Sequence, residues 1–159
     1  GAVAKRQAEI ASVAKEYGFD EVIKLDFPTA RLDMLPIADL TKAVSNIIHK
    51  IEPNILYLPF RNDIHSDHRI TFEAVMSAAK TFRCPSIKKV MMYESISETE
   101  FAPPLQSTFF VPNSFSDITD FLEMKISIME IYKGEMNEQN NFFNSDSHSN
   151  FALIERSKH

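Results

Sequence analysis

Residues 54–69 read NILYLPFRNDIHSDHR, and this stretch decides how the chain is expected to fold. Its first five residues form an apolar run bounded by Pro53 and Pro59, which is typical of a strand buried on both faces of a parallel sheet. A polar loop follows, and the periodicity after it predicts a helix from Ile70 to Phe82. A buried strand, a loop and a helix in this order indicate the α/β class.

The rest of the chain continues the alternation of helices and strands. Periodicity and end signals predict helices over 2–17, 37–51 and 120–136, strands over 21–25 and 89–93, and one further extended piece over 108–111. We therefore expect one domain over residues 1–159, with a mostly parallel sheet. The strand at 54–58 is expected to pair with a neighbouring strand on each side, but the strands predicted here would form only a narrow sheet. The domain is therefore expected to be missing its first strands.

Composition narrows the class of protein. The chain is 44% hydrophobic and 25% charged, with a formal net charge of −5 and no Lys/Arg stripe, which argues against nucleic-acid binding. No apolar stretch is long enough to cross a bilayer, and the N-terminus has no signal pattern. The single cysteine, Cys84, is expected to be a small buried hydrophobe. These features predict a soluble cytoplasmic protein.

The loop after the buried strand contains two histidines and two aspartates between Asp63 and His68. In open α/β sheets, ligands bind beyond the carboxyl ends of the strands, which is where this loop begins. Imidazoles and carboxylates are the usual zinc ligands apart from thiolates. His68 is expected near the start of the next helix, aimed at the strand ends, with His65 across the same cavity. Asp67 is placed to accept a hydrogen bond from an imidazole N–H.

Other interpretations of this loop stay open. Asp67 could cap the next helix, and His65 and His68 could be ordinary loop histidines. A catalytic zinc needs about three protein ligands, and no second cluster has the required spacing. His49 is expected on the polar face of its helix and His148 in a polar tail. Phosphoester hydrolysis is disfavoured because a chain with 3 glycines has no glycine loop for phosphate.

Several short motifs resemble one family when they are taken in order. They are RQAE at 6–9 followed by Gly18, LDFP at 25–28 with RLD at 31–33, PNILY at 53–57, HSDHR at 65–69, FSDITD at 115–120, and the segment from Lys125 to YKGEM at 132–136. Each piece is weak alone, but their shared order and spacing are specific. The chain resembles the LmbE-like, PIG-L-type zinc-dependent N-deacetylases, which act on N-acetylglucosaminyl compounds.

The resemblance implies a Rossmann-like, three-layer α/β domain with a zinc ion at the strand ends. His68 matches a zinc ligand, and His65 matches the histidine that stabilises the oxyanion or protonates the leaving amine. Asp67 matches the carboxylate that orients this histidine, and Arg6 matches a substrate-contacting arginine. Two further loop residues are expected at most to support these groups: Arg61 and Asp63.

Part of the family pattern is absent from these 159 residues. The resemblance implies an N-terminal HPDDE stretch that supplies a histidine ligand, an aspartate ligand and the aspartate general base. We therefore expect a chain that is truncated or partly ordered at both ends and inactive alone. The complete protein is expected to be a cytoplasmic zinc-dependent N-deacetylase whose partner is an N-acetylated amino sugar, with homo-oligomerisation left open.

A different class of function is also compatible with the missing stretch. The chain could be a non-catalytic binding or assembly module that keeps the fold but lacks a complete metal site. An HPDDE stretch encoded upstream of Gly1 would favour the enzyme.

Overall fold

The computed structural model describes residues 1–96, 98–103 and 105–132. Leu25–Val111 forms one compact unit, and Gly1–Lys24 with the described residues from Pro112 onward forms another. The helix predicted over 120–136 ends earlier, at Met129, and its predicted residues 133–136 lie outside the described residues, as does His148.

The unit Leu25–Val111 is built on two parallel strands, β1 (Ile55–Pro59) and β2 (Lys89–Tyr93). Ile55 lies opposite Lys89 and Pro59 opposite Tyr93, so the strands begin and end level. The connection between them contains a helix, as parallel strands require. This arrangement confirms the α/β class. It also means that the loops after β1 and β2 leave the same edge of the sheet.

Two helices and the sheet share one hydrophobic core. The first (α2, Ile37–Ile51) is strongly amphipathic and follows the predicted boundaries. The second (α3, Ser66–Ala78) connects the strands and packs against both α2 and β1. The buried core cluster consists of Ile48, Leu58, Val75, Ala78, Ala79, Cys84 and Ile87. Cys84 is therefore a buried hydrophobe, as predicted.

Two predictions about strands are wrong. Residues 21–25 do not form a strand, and β1 is not buried on both faces, since Ile55 is 44% and Tyr57 65% exposed. The extended piece expected over 108–111 pairs with no strand in the described part of the chain. A strand needs a neighbouring strand for its backbone hydrogen bonds, and it needs packed helices to bury its faces. Within the residues that the structure describes, β1 has β2 as its single neighbour, and 21–25 has none.

The helix after β1 begins four residues earlier than predicted and ends earlier too. It starts at Ser66 because the His65 ring caps it: the Nδ1 atom of His65 accepts the backbone N–H of Asp67 at 3.1 Å. Capping by a histidine is not among the usual N-cap signals, so the pattern at 54–69 did not reveal it. The helix ends at Ala78, one turn before Phe82, which is 76% exposed.

The other unit contains two helices in contact, α1 (Ala2–Tyr17) and α4 (Leu122–Met129). Helix α1 ends as predicted at Gly18, which adopts a left-handed φ of 69°. Helix α4 starts two residues later than predicted, because a 3₁₀ turn occupies Thr119–Phe121. Among the described residues, no helix is both long enough and apolar enough to span a membrane.

Glu52 ends α2 in the conformation that glycine provides at the end of α1. Its φ is 50° and its ψ is 54°, a left-handed conformation that costs a residue with a Cβ about 1–2 kcal/mol. We expect Glu52→Gly to raise the free energy of unfolding in urea by about 0.5–1 kcal/mol, because the larger unfolded-state entropy of glycine offsets part of the relieved strain. Glu52→Ala keeps the strain and is the control; an equal gain in both variants would contradict this explanation.

Candidate functional site

Asp63 is a buried carboxylate at the edge of the sheet where β1 ends. Its side chain is 0% exposed. Its Oδ1 atom accepts the hydroxyl of Thr99 at 2.6 Å, and its Oδ2 atom lies 2.7 Å from Nδ1 of His68. A buried carboxylate is costly unless its oxygens are hydrogen-bonded, and here each oxygen has a partner. Asp63 therefore has a fixed orientation between the loop after β2 and the first turn of α3.

The contact with Asp63 fixes how the His68 ring presents its nitrogens. A carboxylate oxygen accepts hydrogen bonds, so at 2.7 Å the Nδ1 atom of His68 carries the proton. In the neutral ring, Nε2 then keeps its lone pair, which is the form that binds a metal ion. His68 is the third residue of α3 and has a side chain that is 31% exposed. The ring is thus held on one side and accessible on the other.

His65 has the opposite arrangement of its ring nitrogens. Because its Nδ1 atom accepts the backbone N–H of Asp67, the proton of the neutral ring lies on Nε2. The rings of His65 and His68 are stacked, with centroids 5.1 Å apart and planes inclined by 23°. The structure brings the two predicted histidines together. One ring offers a free lone pair, and its neighbour offers an N–H donor.

The Asp67 carboxylate holds a backbone segment rather than a histidine. Its two oxygens accept the N–H groups of Ala30 at 2.6 Å and Leu32 at 3.1 Å. The predicted hydrogen bond from an imidazole to this carboxylate is not present among the described residues. The reason is that Asp67 lies in the first turn of α3, where its side chain reaches the segment around Ala30.

Asp67 also lines a cavity of about 310 Å³ within the unit Leu25–Val111. Most of the wall is apolar. The cavity is lined by Leu25, Asp26, Phe27, Pro28, Thr29, Leu32, Leu40, Val44, Asp67, Thr71 and Ala74. The segment that Asp67 anchors therefore forms one wall, and α2 and α3 form the others.

Arg69 fixes the backbone of the loop that carries Asp63. Its Nη1 atom donates to the carbonyl oxygens of Asp63 at 2.8 Å and Ile64 at 2.6 Å. From the other side, the N–H of Ile64 donates to the carbonyl of Glu98 at 3.2 Å. The loop is therefore attached both to α3 and to the segment after β2. Arg61, predicted to support the site, is exposed.

Tyr93 ends β2 at the same edge of the sheet. Burial raises the pKa of the Tyr93 hydroxyl, and the negative charge of Asp63 raises this pKa further. The residue is 46% exposed, so its hydroxyl is only partly removed from water. Since the ordinary tyrosine pKa is already about 10, the hydroxyl stays protonated at neutral pH. It remains a hydrogen-bond donor near the buried carboxylate.

Arg6, the predicted substrate-contacting residue, belongs to the other unit. It lies on α1, with Nη1 3.5 Å from Oε2 of Glu9 and its guanidinium carbon 5.2 Å from the centroid of the Tyr132 ring. These contacts place Arg6 on the surface where α1 meets the segment after α4. Its predicted role stays a prediction.

In the described part of the chain, one residue, His68, has the properties of a metal ligand. There, no three His, Cys, Asp or Glu side chains form a group able to hold a metal ion. His68 nevertheless has what a ligand needs, because Asp63 fixes its ring and leaves Nε2 free. His68 therefore fits part of a zinc site and cannot complete one alone.

Two residues of this site were missed by sequence reasoning. Asp63 was expected only to support the loop, and Thr99 was not considered. The position of Asp63, five residues before His68 and just ahead of the helix, could have indicated that its carboxylate reaches the His68 ring. Thr99 gave no signal, because its proximity depends on two parallel strands that end level.

Comparison with known proteins supports the resemblance found in the motifs. The model of the PIG-L family, described as GlcNAc-PI de-N-acetylase, matches residues 1–79. The N-terminal part of the chain is therefore similar to the PIG-L family. The matched region includes the segment at 25–33 and the histidine loop, so the candidate site lies largely within the family-defining part of the chain.

A solved structure agrees at the level of the fold. The crystal structure of the conserved protein TT1542 from Thermus thermophilus matches with a TM-score of 0.67 at 19% sequence identity. The match covers 84% of this chain and 59% of the TT1542 chain. At this identity the similarity establishes the α/β fold. The chain therefore spans less than two thirds of the length of the structure that it matches.

The anchoring role of Asp67 is testable by substitution. We expect Asp67→Ala to lower the free energy of unfolding by about 2 kcal/mol, because two hydrogen bonds to a charged acceptor are lost. Amide hydrogen exchange at Ala30 and Leu32 should become faster. Asp67→Asn keeps one carbonyl oxygen and should give an intermediate loss. Unchanged exchange at both amides in Asp67→Ala would contradict the anchoring role.

Proposed function

We propose that the full-length protein is a metal-dependent hydrolase that removes the acetyl group from an N-acetyl amino sugar. The match of residues 1–79 to the PIG-L family model supports a deacetylase-type activity. The observation that carries the proposal is a pair of stacked imidazoles at the carboxyl end of β1 whose Nδ1 atoms have opposite partners, a carboxylate for His68 and a backbone N–H for His65. Hydrolysis of an amide needs an electrophilic centre and a hydrogen-bond donor for the developing oxyanion. In this proposal, His68 helps to hold the metal ion that is the electrophile, and His65 is the donor.

His68 is proposed as a ligand of one divalent cation, with zinc as the native metal. When bound, zinc supplies a Lewis acid that polarises the acetamide carbonyl and lowers the pKa of a water molecule. The contribution of His68 is the Nε2 lone pair, which is directed by the bond from Nδ1 to Asp63. The remaining ligands and the general base are proposed to come from the HPDDE stretch of the full-length protein.

His65 is proposed as the group that faces the oxyanion. Its Nδ1 atom is occupied by the N–H of Asp67, so Nε2 carries a proton that it can donate to negative charge on the carbonyl oxygen. A proton on Nδ1 is incompatible with that same hydrogen bond. Of the two roles implied for His65, this contact supports stabilisation of the oxyanion more directly than protonation of the leaving amine.

Asp67 and Arg6 complete the proposed set of residues. Asp67 positions His65 through its backbone N–H, in addition to holding the segment at Ala30 and Leu32 through its carboxylate. Arg6 is proposed to contact the substrate in the full-length protein. We also propose that the protein is cytoplasmic. An assay of acetate release distinguishes the enzyme from the alternative of a non-catalytic module.

The proposal is tested by acetate release from N-acetylglucosaminides with the full-length protein. We expect His65→Ala and His68→Ala each to lower turnover by about 100-fold or more, because each removes a group that acts on the reacting amide. The matched control is His49→Ala. His49 is an exposed histidine on α2 that contacts Ser45, so its removal should change turnover by less than about twofold.

The possible results separate the two functions. Full turnover in both His65→Ala and His68→Ala would refute the proposed roles. Absence of turnover in the unmodified full-length protein, together with absence of zinc binding, would favour the non-catalytic module.

A further inference from the structure

We propose that Thr99 is a positioning residue for His68, acting through Asp63. This inference rests on the proposed function, in which His68 is a metal ligand. Its basis is a continuous chain of hydrogen bonds that begins in the segment after β2. The N–H of Ser95 donates to Oγ1 of Thr99 at 2.9 Å, the hydroxyl of Thr99 donates to Asp63 at 2.6 Å, and Asp63 accepts Nδ1–H of His68 at 2.7 Å.

The direction of each hydrogen bond in this chain is determined by its starting point. The backbone N–H of Ser95 can only donate, so Thr99 Oγ1 accepts there and uses its single proton toward Asp63. Asp63 then has one oxygen committed to Thr99 and the other directed at His68. A hydroxyl that accepts on one side and donates on the other thus fixes which oxygen faces the imidazole.

Burial makes this chain independent of water. Asp63 is 0% and Thr99 8% exposed, so solvent cannot readily replace the Thr99 hydroxyl. Without that hydroxyl, Oδ1 of Asp63 would lose this partner, and the contact of Oδ2 with His68 would have to hold the carboxylate without it. The His68 ring would then have a less firmly held acceptor, and its Nε2 atom would no longer be held in one direction.

Two strands are needed to assemble the chain. Asp63 follows β1 and Thr99 follows β2, and the parallel pairing of Pro59 with Tyr93 brings both segments to one edge. The bond from Ile64 N–H to the Glu98 carbonyl holds the same two segments side by side. The orientation of His68 is therefore set from outside the histidine loop, by a residue 31 positions further along the chain than His68.

The experiment compares Thr99→Val, which has nearly the same shape but no hydroxyl, with Thr99→Ser, which keeps the hydroxyl. Full-length, metal-free protein labelled with ¹⁵N-histidine is examined by NMR at a pH about two units above the ordinary histidine pKa of ~6.5. The wild-type protein should show a solvent-protected Nδ1–H signal and an unprotonated Nε2 for His68, assigned by its absence in His68→Ala. The protected signal should disappear in Thr99→Val and persist in Thr99→Ser.

Zinc affinity of the same proteins, measured by competition with a chelator, is the second measurement. We expect Thr99→Val to weaken zinc binding about 10-fold and Thr99→Ser to weaken it less than about threefold. Ile87→Val is the control for a general loss of core packing, because Ile87 is 5% exposed and belongs to the core cluster. It should change neither the NMR signal nor zinc affinity.

The outcomes are distinct. A wild-type His68 with its proton on Nε2, or a Thr99→Val variant with an unchanged Nδ1–H signal, would overturn the positioning role. Wild-type protein that binds no zinc would refute the proposed function, while the NMR comparison would still decide whether Thr99 orients His68.

Discussion

The site depends on one buried carboxylate, that of Asp63. A fully buried aspartate must have hydrogen-bond donors at both oxygens, because an unpaired carboxylate in a low-dielectric environment is very costly. Thr99 and His68 are those donors, and they come from the segment after β2 and from α3. Satisfying Asp63 therefore attaches three parts of the unit to one another at the carboxyl edge of the sheet. The placement of a proton on Nδ1 of His68 is a direct consequence of that requirement.

The same edge illustrates why a parallel pair of strands suits a reactive site. Loops after level parallel strands start side by side, so polar groups that are far apart in the sequence can meet there. Backbone contacts such as Ile64 N–H to Glu98 keep the two loops in fixed positions, and Arg69 holds the histidine loop to its own helix. Side chains at this edge are thus held in place by contacts within the protein itself.

How far the sequence predicts this structure depends on the range of the interactions. Local patterns were sufficient for α1, α2 and β2, because amphipathic periodicity and a glycine stop are properties of neighbouring residues. The strand predicted over 21–25 failed because a strand forms only with a partner, which local sequence does not provide. The pairing of His65 and His68 was predicted from their spacing and the expected helix start. The contact between Asp63 and Thr99 could not be predicted from the sequence, since it depends on the register of the two strands.

The two aspartates of the histidine loop show how a correct residue set can be combined with incorrect contacts. Spacing alone made Asp67 the natural partner of an imidazole, because it lies between the two histidines. However, the helix begins at Ser66, so the Asp67 side chain leaves the first turn toward the backbone at Ala30 and Leu32, while its N–H points back to His65. Asp63 precedes the helix and reaches His68 across the capping turn. Asp67 therefore serves His65 through its main chain and the cavity wall through its side chain. The position of the helix start thus sets the tautomer of His65, brings His68 within reach of Asp63, and anchors the segment that lines the neighbouring cavity.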